Sequence, residues 1–398
     1  MNKSKLVEEV FKMRFDDVFS RFQQKRLTCE EASALLGVSV STFFRKRQRS
    51  LSDEFNGIFD QRLGKPSPNR AADKEVDFIT KLYSSRFQGF TASHFYSFAK
   101  REYGLKKSYT WTKNKLQEHG LISKSSKGGK HRKRREPKPM VGMMLHQDGS
   151  THHWIPALDY NLDLIITLDD ATSKITSGFF VEQEGTLSTF QAIEETIKSF
   201  GLFCSLYTDR GSHYFYTPKA GKKVDKDALT QVGRALKQLG IQHIAAYSPE
   251  ARGRSERAFR TIQDRLPKEF SLFNITTIAE ANKYLKDKFI PAYNNEFARK
   301  ATSDESAFVP WVGNSLKDIL CIQEQRIVQK DNTVRYGGLI LQIPKNDFRP
   351  HYVKASVTVH RYSDYSLAIF YGHLCIGKYN HLGKLIDCSN ELKKAINQ

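Results

Sequence analysis

The sequence predicts a multidomain protein with all-α helical domains at the N-terminus, a central α/β core and a small β-barrel at the C-terminus. Three observations predict it. At 398 residues the chain is too long for one ordinary core, so two to four domains are expected. The texture of the chain changes twice, from amphipathic helical patterns to short strands alternating with helices at Met140, and to strand runs with Gly, Asp and Asn turns after Pro310. The stretches "RLGKPSPNR" (62–70) and "SKSSKGGKHRKRREPKP" (123–139) carry almost nothing to bury and read as linkers between these regions.

The first domain (1–60) contains "LTCEEASALLGVSVSTFFRKRQRS". Thr28 can cap a helix with Glu30 and Glu31 in its first turn, where the helix dipole favours acids. Ala32, Leu35 and Leu36 give that helix an apolar face, and Gly37 ends it. Ser39 can cap a second helix running to about Arg49. Two helices joined by a short glycine turn form a helix-turn-helix, whose second helix enters the DNA major groove. Ser41, Thr42 and Arg45 near its start are candidate base readers, and Lys46, Arg47 and Arg49 suit phosphates. An ordinary helical hairpin with a solvated basic face is the plainer alternative, but the order of acidic first helix, glycine turn and basic second helix favours DNA.

Residues 70–122 hold three further helical patterns, Asp73–Arg86, Thr91–Gly104 and Ser108 to His119, read as a second small helical DNA-binding domain. The basic tract 123–139 is expected to be a flexible arm that tracks phosphates.

From Met140 to about residue 300 the strands "VGMMLHQDGS", "DLIITLDDATS" and "ITSGFFVEQEG" have tight connections and predict an antiparallel meander. A helix from Thr186 follows, then a strand ending at Asp209, a helix around Lys226–Leu239, the strand "IQHIAAY" and a helix near Arg254. The β-β-β-α-β-α-β-α order is that of the ribonuclease-H-like fold, a mixed sheet flanked by helices. After Pro310, "NTVRYGGLILQIP", "ASVTVHRY", "SLAIFYG" and "LCIGKYN" predict a small SH3-like barrel at 325–390.

Charge narrows the partners. Lys and Arg number 63 against 43 Asp and Glu, a formal +20, which favours a polyanion and nucleic acid before membrane. No apolar run reaches spanning length and the first residues lack a signal-peptide core, so a soluble, intracellular (cytoplasmic) protein is expected. The 5 cysteines are scattered and never spaced as CxxC, which argues against a disulfide framework and a thiolate zinc site.

Within the core, "LYTDRGSHYF" ends an apolar run in Asp209 and a glycine turn. A lone Asp there is most often a cap or turn former. Two other acids change that reading. Asp148 lies at the end of the first strand, which neighbours the strand ending in Asp209 in this fold, and Glu256 sits one turn into the helix introduced by "YSPEARGRSER". Three clustered carboxylates repel one another unless cations neutralise them, and hard oxygen donors suit Mg²⁺ or Mn²⁺. Two such ions can activate a water and neutralise both the attacking and leaving oxygens of a phosphodiester.

The acids in "HQDGS", "YTDRGSHY" and "SPEARGRSE" resemble the DDE signature of retroviral-integrase-like transposases. More narrowly, the chain is similar to the ISNCY-type insertion-sequence transposases of prokaryotes, through "GKPSP", "SYTW", "LDDATS", "LTQVGRAL" and "NTVRYGGLILQIP". The resemblance implies that Asp148, Asp209 and Glu256 hold two Mg²⁺ (or Mn²⁺) ions per active site. It also implies that the enzyme cuts and joins DNA at the ends of its own element. Double-stranded DNA and further copies of the chain, as a homodimer or higher oligomer, are the expected partners, with no membrane. Ser248 departs from the wider integrase pattern, where Asn commonly precedes the proline, and the zinc-binding His/His/Cys/Cys head of retroviral integrases is absent.

Other residues near the acids compete for roles. Asp169 and Asp170 close the second strand, one expected in a turn and the other as a support for the metal ligands. His146, His152 and His153 around Asp148 raise a His-ligated hydrolase as a rival, though no HxxxH or HExxH spacing is present. Arg252, Arg254, Arg257 and Arg260 are expected to grip the DNA backbone rather than solvate a surface. Two other functions stay open at this point, a ribonuclease-H-like nuclease that only cuts and a transposase-derived DNA-binding regulator with a silent core.

Overall fold

Capping chemistry sets the first helices of the computed structural model, which describes residues 3–52, 70–124, 136–217, 224, 228–247, 253–313, 315–346 and 348–386. The chain divides into two compact units, 1–81 and 82–398.

In the first unit, α1 (Lys3–Gln23) precedes α2 (Cys29–Leu36) and α3 (Val40–Ser52). Thr28 and Glu31 form a reciprocal capping box, and Gly37 ends α2 at φ 67°, a left-handed conformation that glycine adopts without steric cost. The hydroxyl of Ser39 accepts the Thr42 N–H at 3.3 Å and starts α3. Phe43 is fully buried, with Phe15 and Phe22 of α1 against its ring. Ala32 and Leu36 face this core as expected, whereas Leu35 is 49% exposed. One residue of helix turns it 100° away from the stripe that α1 covers. Phe43→Ala should cost about 3–5 kcal/mol. Urea unfolding followed by far-ultraviolet circular dichroism would show the first unit melting well before the second.

In the second unit, after α4 (Asp73–Arg86), helices α5 (Ala92–Tyr103) and α6 (Tyr109–Glu118) enclose a core of Phe87, Phe90, Phe95, Phe98 and Leu116. The core sheet is built from β1 (Leu145–His152), β2 (Leu162–Asp169), β3 (Ile175–Val181), β4 (Ser205–Thr208) and β5 (Gln242–Ala245) in the order β3-β2-β1-β4-β5. β1, β2 and β3 form the antiparallel meander, and β4 and β5 add in parallel to β1. Helices α7 (Thr186–Phe200) and α8 (Gln231–Gln238) cover one face, packing Phe190, Ile193 and Leu236 on Leu145 and Leu206. α8 begins five residues later than the sequence pattern suggested, because the Thr230 hydroxyl caps it by accepting the Gly233 N–H.

The other face carries α9 (Gly253–Leu272), α10 (Ile278–Tyr284) and α11 (Ile290–Phe297), with a π-turn at Leu285–Phe289 between the last two. Leu164, Ile166 and Leu168 of β2 pack there on Ile262 and Leu266. α5 docks on the same helices: His94 Nε2 lies 2.7 Å from a Glu269 carboxylate oxygen, and the Tyr284 hydroxyl donates to the other. β3 is the sheet edge. Its Ile175 and Phe180 each exchange both backbone groups with one side-chain amide, Asn294 and Asn282 respectively.

Beyond α12 (Leu316–Ile319) the expected closed barrel is not found among the described residues. The strands β6 (Ile322–Ile327), β7 (Thr333–Tyr336), β8 (Leu339–Gln342), β9 (Ser356–Arg361), β10 (Leu367–Tyr371), β11 (Leu374–Tyr379) and β12 (Leu385–Ile386) pair as a five-stranded sheet, β12-β11-β10-β9-β6, and a separate β7-β8 hairpin. Gly337 and Gly338 both take positive φ, the geometry of a two-residue hairpin turn, so "NTVRYGGLILQIP" folds back on itself instead of running as one long strand. Val334, Leu341, Val359 and Ile369 share the core between hairpin and sheet.

A half-buried histidine, His243, and a buried one, His360, give the second unit an acid limit. His243 stacks on Phe215 at 3.9 Å and His360 on Phe370 at 4.1 Å. Burial, with the neighbouring His213 adding to it at His243, lowers each to about 4. The unfolded chain therefore takes up these protons first. The stability held by the neutral rings is complete above about pH 6.5 and is lost as pH falls from there toward 4. The unfolding temperature should fall across that window, and the double variant His243→Gln/His360→Gln should flatten the slope.

Candidate active site

Asp148 sits in the middle of β1 rather than at its end, and only 7% of it is exposed. β1 pairs in parallel with β4 at Leu145↔Leu206 and His146↔Tyr207. β4 ends at Thr208; continued two residues past its last recorded pair, the register would set Asp148 level with Asp209, at a strand spacing of about 4.8 Å. Both share the strand face of His146 and Tyr207, whose rings meet at 5.0 Å. That is the face on which α9 packs, since Asp148 and His146 lie opposite Ile166 and Leu168 of its hydrophobic core. Each carboxylate is oriented by a backbone donor: Asp148 Oδ1 accepts from Gly149 N–H at 3.2 Å, and Asp209 Oδ1 from Gly211 N–H at 2.8 Å. Asp209 thus also makes the turn that its sequence context suggests.

Glu256 lies exposed in the first turn of α9. Among the described residues no three His, Cys, Asp or Glu side chains are grouped closely enough to hold a metal ion. Asp148, Asp209 and Glu256 all offer carboxylate oxygens, the chemistry that fits a hard divalent cation.

The acids that close β2 divide their work. Asp169 makes the turn, accepting the N–H groups of Gly142 and Thr172 and the Thr172 hydroxyl. Asp170, fully buried, accepts from Lys138 N–H and pairs with His146 Nε2, both at 2.7 Å, and with Arg254 Nε at 2.8 Å. Burial works to raise its pKa, but these three partners outweigh it and bring the carboxyl down to about 2. His146 is therefore engaged by a buried carboxylate, and Arg254, 18% exposed, is turned inward. The structure gives Arg254 a protein partner in Asp170.

Arg257 and Arg260 are exposed on α9, while Arg252 and Ser248 lie outside the described residues. On α3, Ser41, Arg45 and Arg49 are exposed and Thr42 half-buried, with Arg45 bonded to the Ser41 carbonyl and the Thr42 hydroxyl. Arg47 and Lys46 lie over the rings of Phe22 and Phe11, so part of their surface packs on α1.

Two features escaped the sequence. Glu184, from the β3–α7 loop, lies against Gly149, where its carboxyl group fills the space that a side chain at 149 would need. Tyr214 donates a hydrogen bond to it at 3.2 Å, and His213 Nε2 lies 3.5 Å away. The acid in "VEQEG" looks like a turn residue until the sheet is assembled. Gln263 of α9 donates to the Ser150 hydroxyl at 3.0 Å, a link between residues 113 apart that no local pattern signals.

No family model matches the chain. It is 29% identical over 353 residues to a protein of Sinorhizobium fredii carried under the name of a transposase, y4bF, across 87% of this chain and 76% of that one. It is 30% identical over 203 residues to the transposase for insertion sequence IS1202 of Streptococcus pneumoniae, across 51% of this chain and 43% of that one. Solved structures with some likeness include the simian T-cell lymphotropic virus intasome (TM-score 0.34, 13% identity, 78% of this chain and 99% of that one). Another is the HTLV-2 integrase catalytic core with magnesium (TM-score 0.28, 16% identity, 37% of this chain and 88% of that one). At these scores the two structures carry no argument about this chain. The sequence relationships do: the chain is similar over most of its length to a protein named as a transposase, and over about half of it to the transposase of an insertion sequence.

Proposed function

We propose that the protein is a DNA transposase that binds the ends of an insertion sequence and carries out metal-dependent phosphodiester cleavage and strand transfer. The observation that supports this reading is the parallel β1–β4 register, which if continued two residues would set Asp148 level with Asp209 on the face against which α9, with Glu256 in its first turn, packs. These three carboxylates would hold two Mg²⁺ or Mn²⁺ ions. When bound, such ions supply positive charge to both the attacking and the leaving oxygen of a phosphodiester and lower the pKa of an attacking water. The chain's own residues orient and exclude. Gly149 and Gly211 N–H groups aim the aspartates, and Asp170 holds the His146 ring through its Nε2. Exposed Arg257 and Arg260 continue along α9 as phosphate contacts, and α3 reads the element ends.

Incubating the protein with its own flanking DNA and Mg²⁺, then mapping products, tests the proposal. Free 3′-hydroxyls at the element ends followed by joined target strands are the expected result. Cleavage without joining would leave a nuclease, and neither product would leave a DNA-binding regulator. On the same DNA, Arg260→Ala should reduce the slope of log affinity against log salt by about one unit with little change in fold.

A further inference from the structure

We infer that Asp170 is a positioning residue for the carboxylate set, holding the strand that carries Asp148 and the helix that carries Glu256 in fixed axial register. The inference rests on the reading of those acids given above. One buried carboxylate grips His146, two residues before Asp148, and Arg254, two residues before Glu256. A second tie joins the same two elements further on, where Gln263 donates to Ser150 at 3.0 Å. The ties span matching lengths. From His146 to Ser150 is four strand residues, about 13 Å at roughly 3.3 Å each. From Arg254 to Gln263 is nine helical residues, about 13.5 Å at roughly 1.5 Å each. α9 is thus fastened to β1 at two points, with Asp148 midway between them on the strand and Glu256 one short step inside the first on the helix. Release of the Asp170 tie would let the first turn of α9 slide or fray, because Glu256 lies only three residues from that helix end.

The test uses the full-length protein with Arg254→Met, Arg254→Lys, Asp170→Asn and, as a reference for the site itself, Asp148→Asn. Mn²⁺ binding without DNA, followed by electron paramagnetic resonance, is measured beside kcat and KM for cleavage of element-end DNA. Arg254→Met is expected to keep the unfolding temperature within a few degrees and KM within about twofold, while weakening Mn²⁺ binding about tenfold and lowering kcat about 10–100-fold. Arg254→Lys, which keeps the charge, should recover most of both. If Asp170→Asn fails to fold, the two Arg254 variants decide. A folded Arg254→Met protein with parental Mn²⁺ affinity and kcat would overturn the inference, as would a fall in kcat matched by equal losses of end binding and thermal stability. Parental cleavage by Asp148→Asn would instead overturn the reading of the site.

Discussion

Asp148→Asn, Asp209→Asn and Glu256→Gln are each expected to lower end cleavage and strand transfer by about a thousandfold or more. The amides keep the shape of the side chain and remove the charge that would hold a hard cation. Loss of that cation forfeits several kcal/mol of transition-state stabilisation, and each 1.36 kcal/mol is about tenfold in rate. Binding of element ends should survive or tighten, because a carboxylate beside a phosphate repels it. Asp148 and Asp209 accept backbone hydrogen bonds that an amide oxygen can also accept, so the fold should hold. Single-turnover cleavage of labelled end DNA, beside a gel shift of the same fragment, separates these effects. Cleavage by Asp209→Asn within tenfold of the parent would remove that residue from the catalytic set.

Removal of residues 1–52, which takes away α1, α2 and α3, is expected to abolish preference for the element ends. Specific protein–DNA complexes are typically at least about 10³-fold tighter than non-specific ones, and that ratio should collapse toward one. Non-specific binding should persist through the basic tract 123–139 and the exposed arginines of α9. Competition gel shifts with unrelated DNA measure the ratio directly. If the truncated protein keeps its preference, sequence reading belongs to α5 and α6 instead.

The sequence revealed those features that are local or fixed by chain order. Thr28, Glu31 and Gly37 announce α2 because caps act within one helical turn. The meander and the placement of Asp209 beside β1 followed from strand order and apolar runs. Features that depend on tertiary distance were hidden. Leu35 counts as apolar in any periodicity, yet only the position of α1 decides that it faces solvent. The Gly337–Gly338 pair sits inside what reads as one strand run, and whether seven short strands close or stay open depends on which edges meet. Asp170 was separable from Asp169 only in three dimensions. Its partners Lys138, His146 and Arg254 come from three segments, one of them 84 residues downstream.

The two asparagines along β3 have a consequence for assembly. A sheet edge with bare N–H and C=O groups invites a strand from another molecule. Here Asn294 and Asn282 mimic that visitor, each amide satisfying a donor and an acceptor at Ile175 and Phe180. The core sheet is thereby closed to lateral growth on this side. A second copy of the chain would have to meet this one through helix surfaces, the far edge at β5 or the C-terminal strands, since a continuous sheet shared through β3 is not open to it.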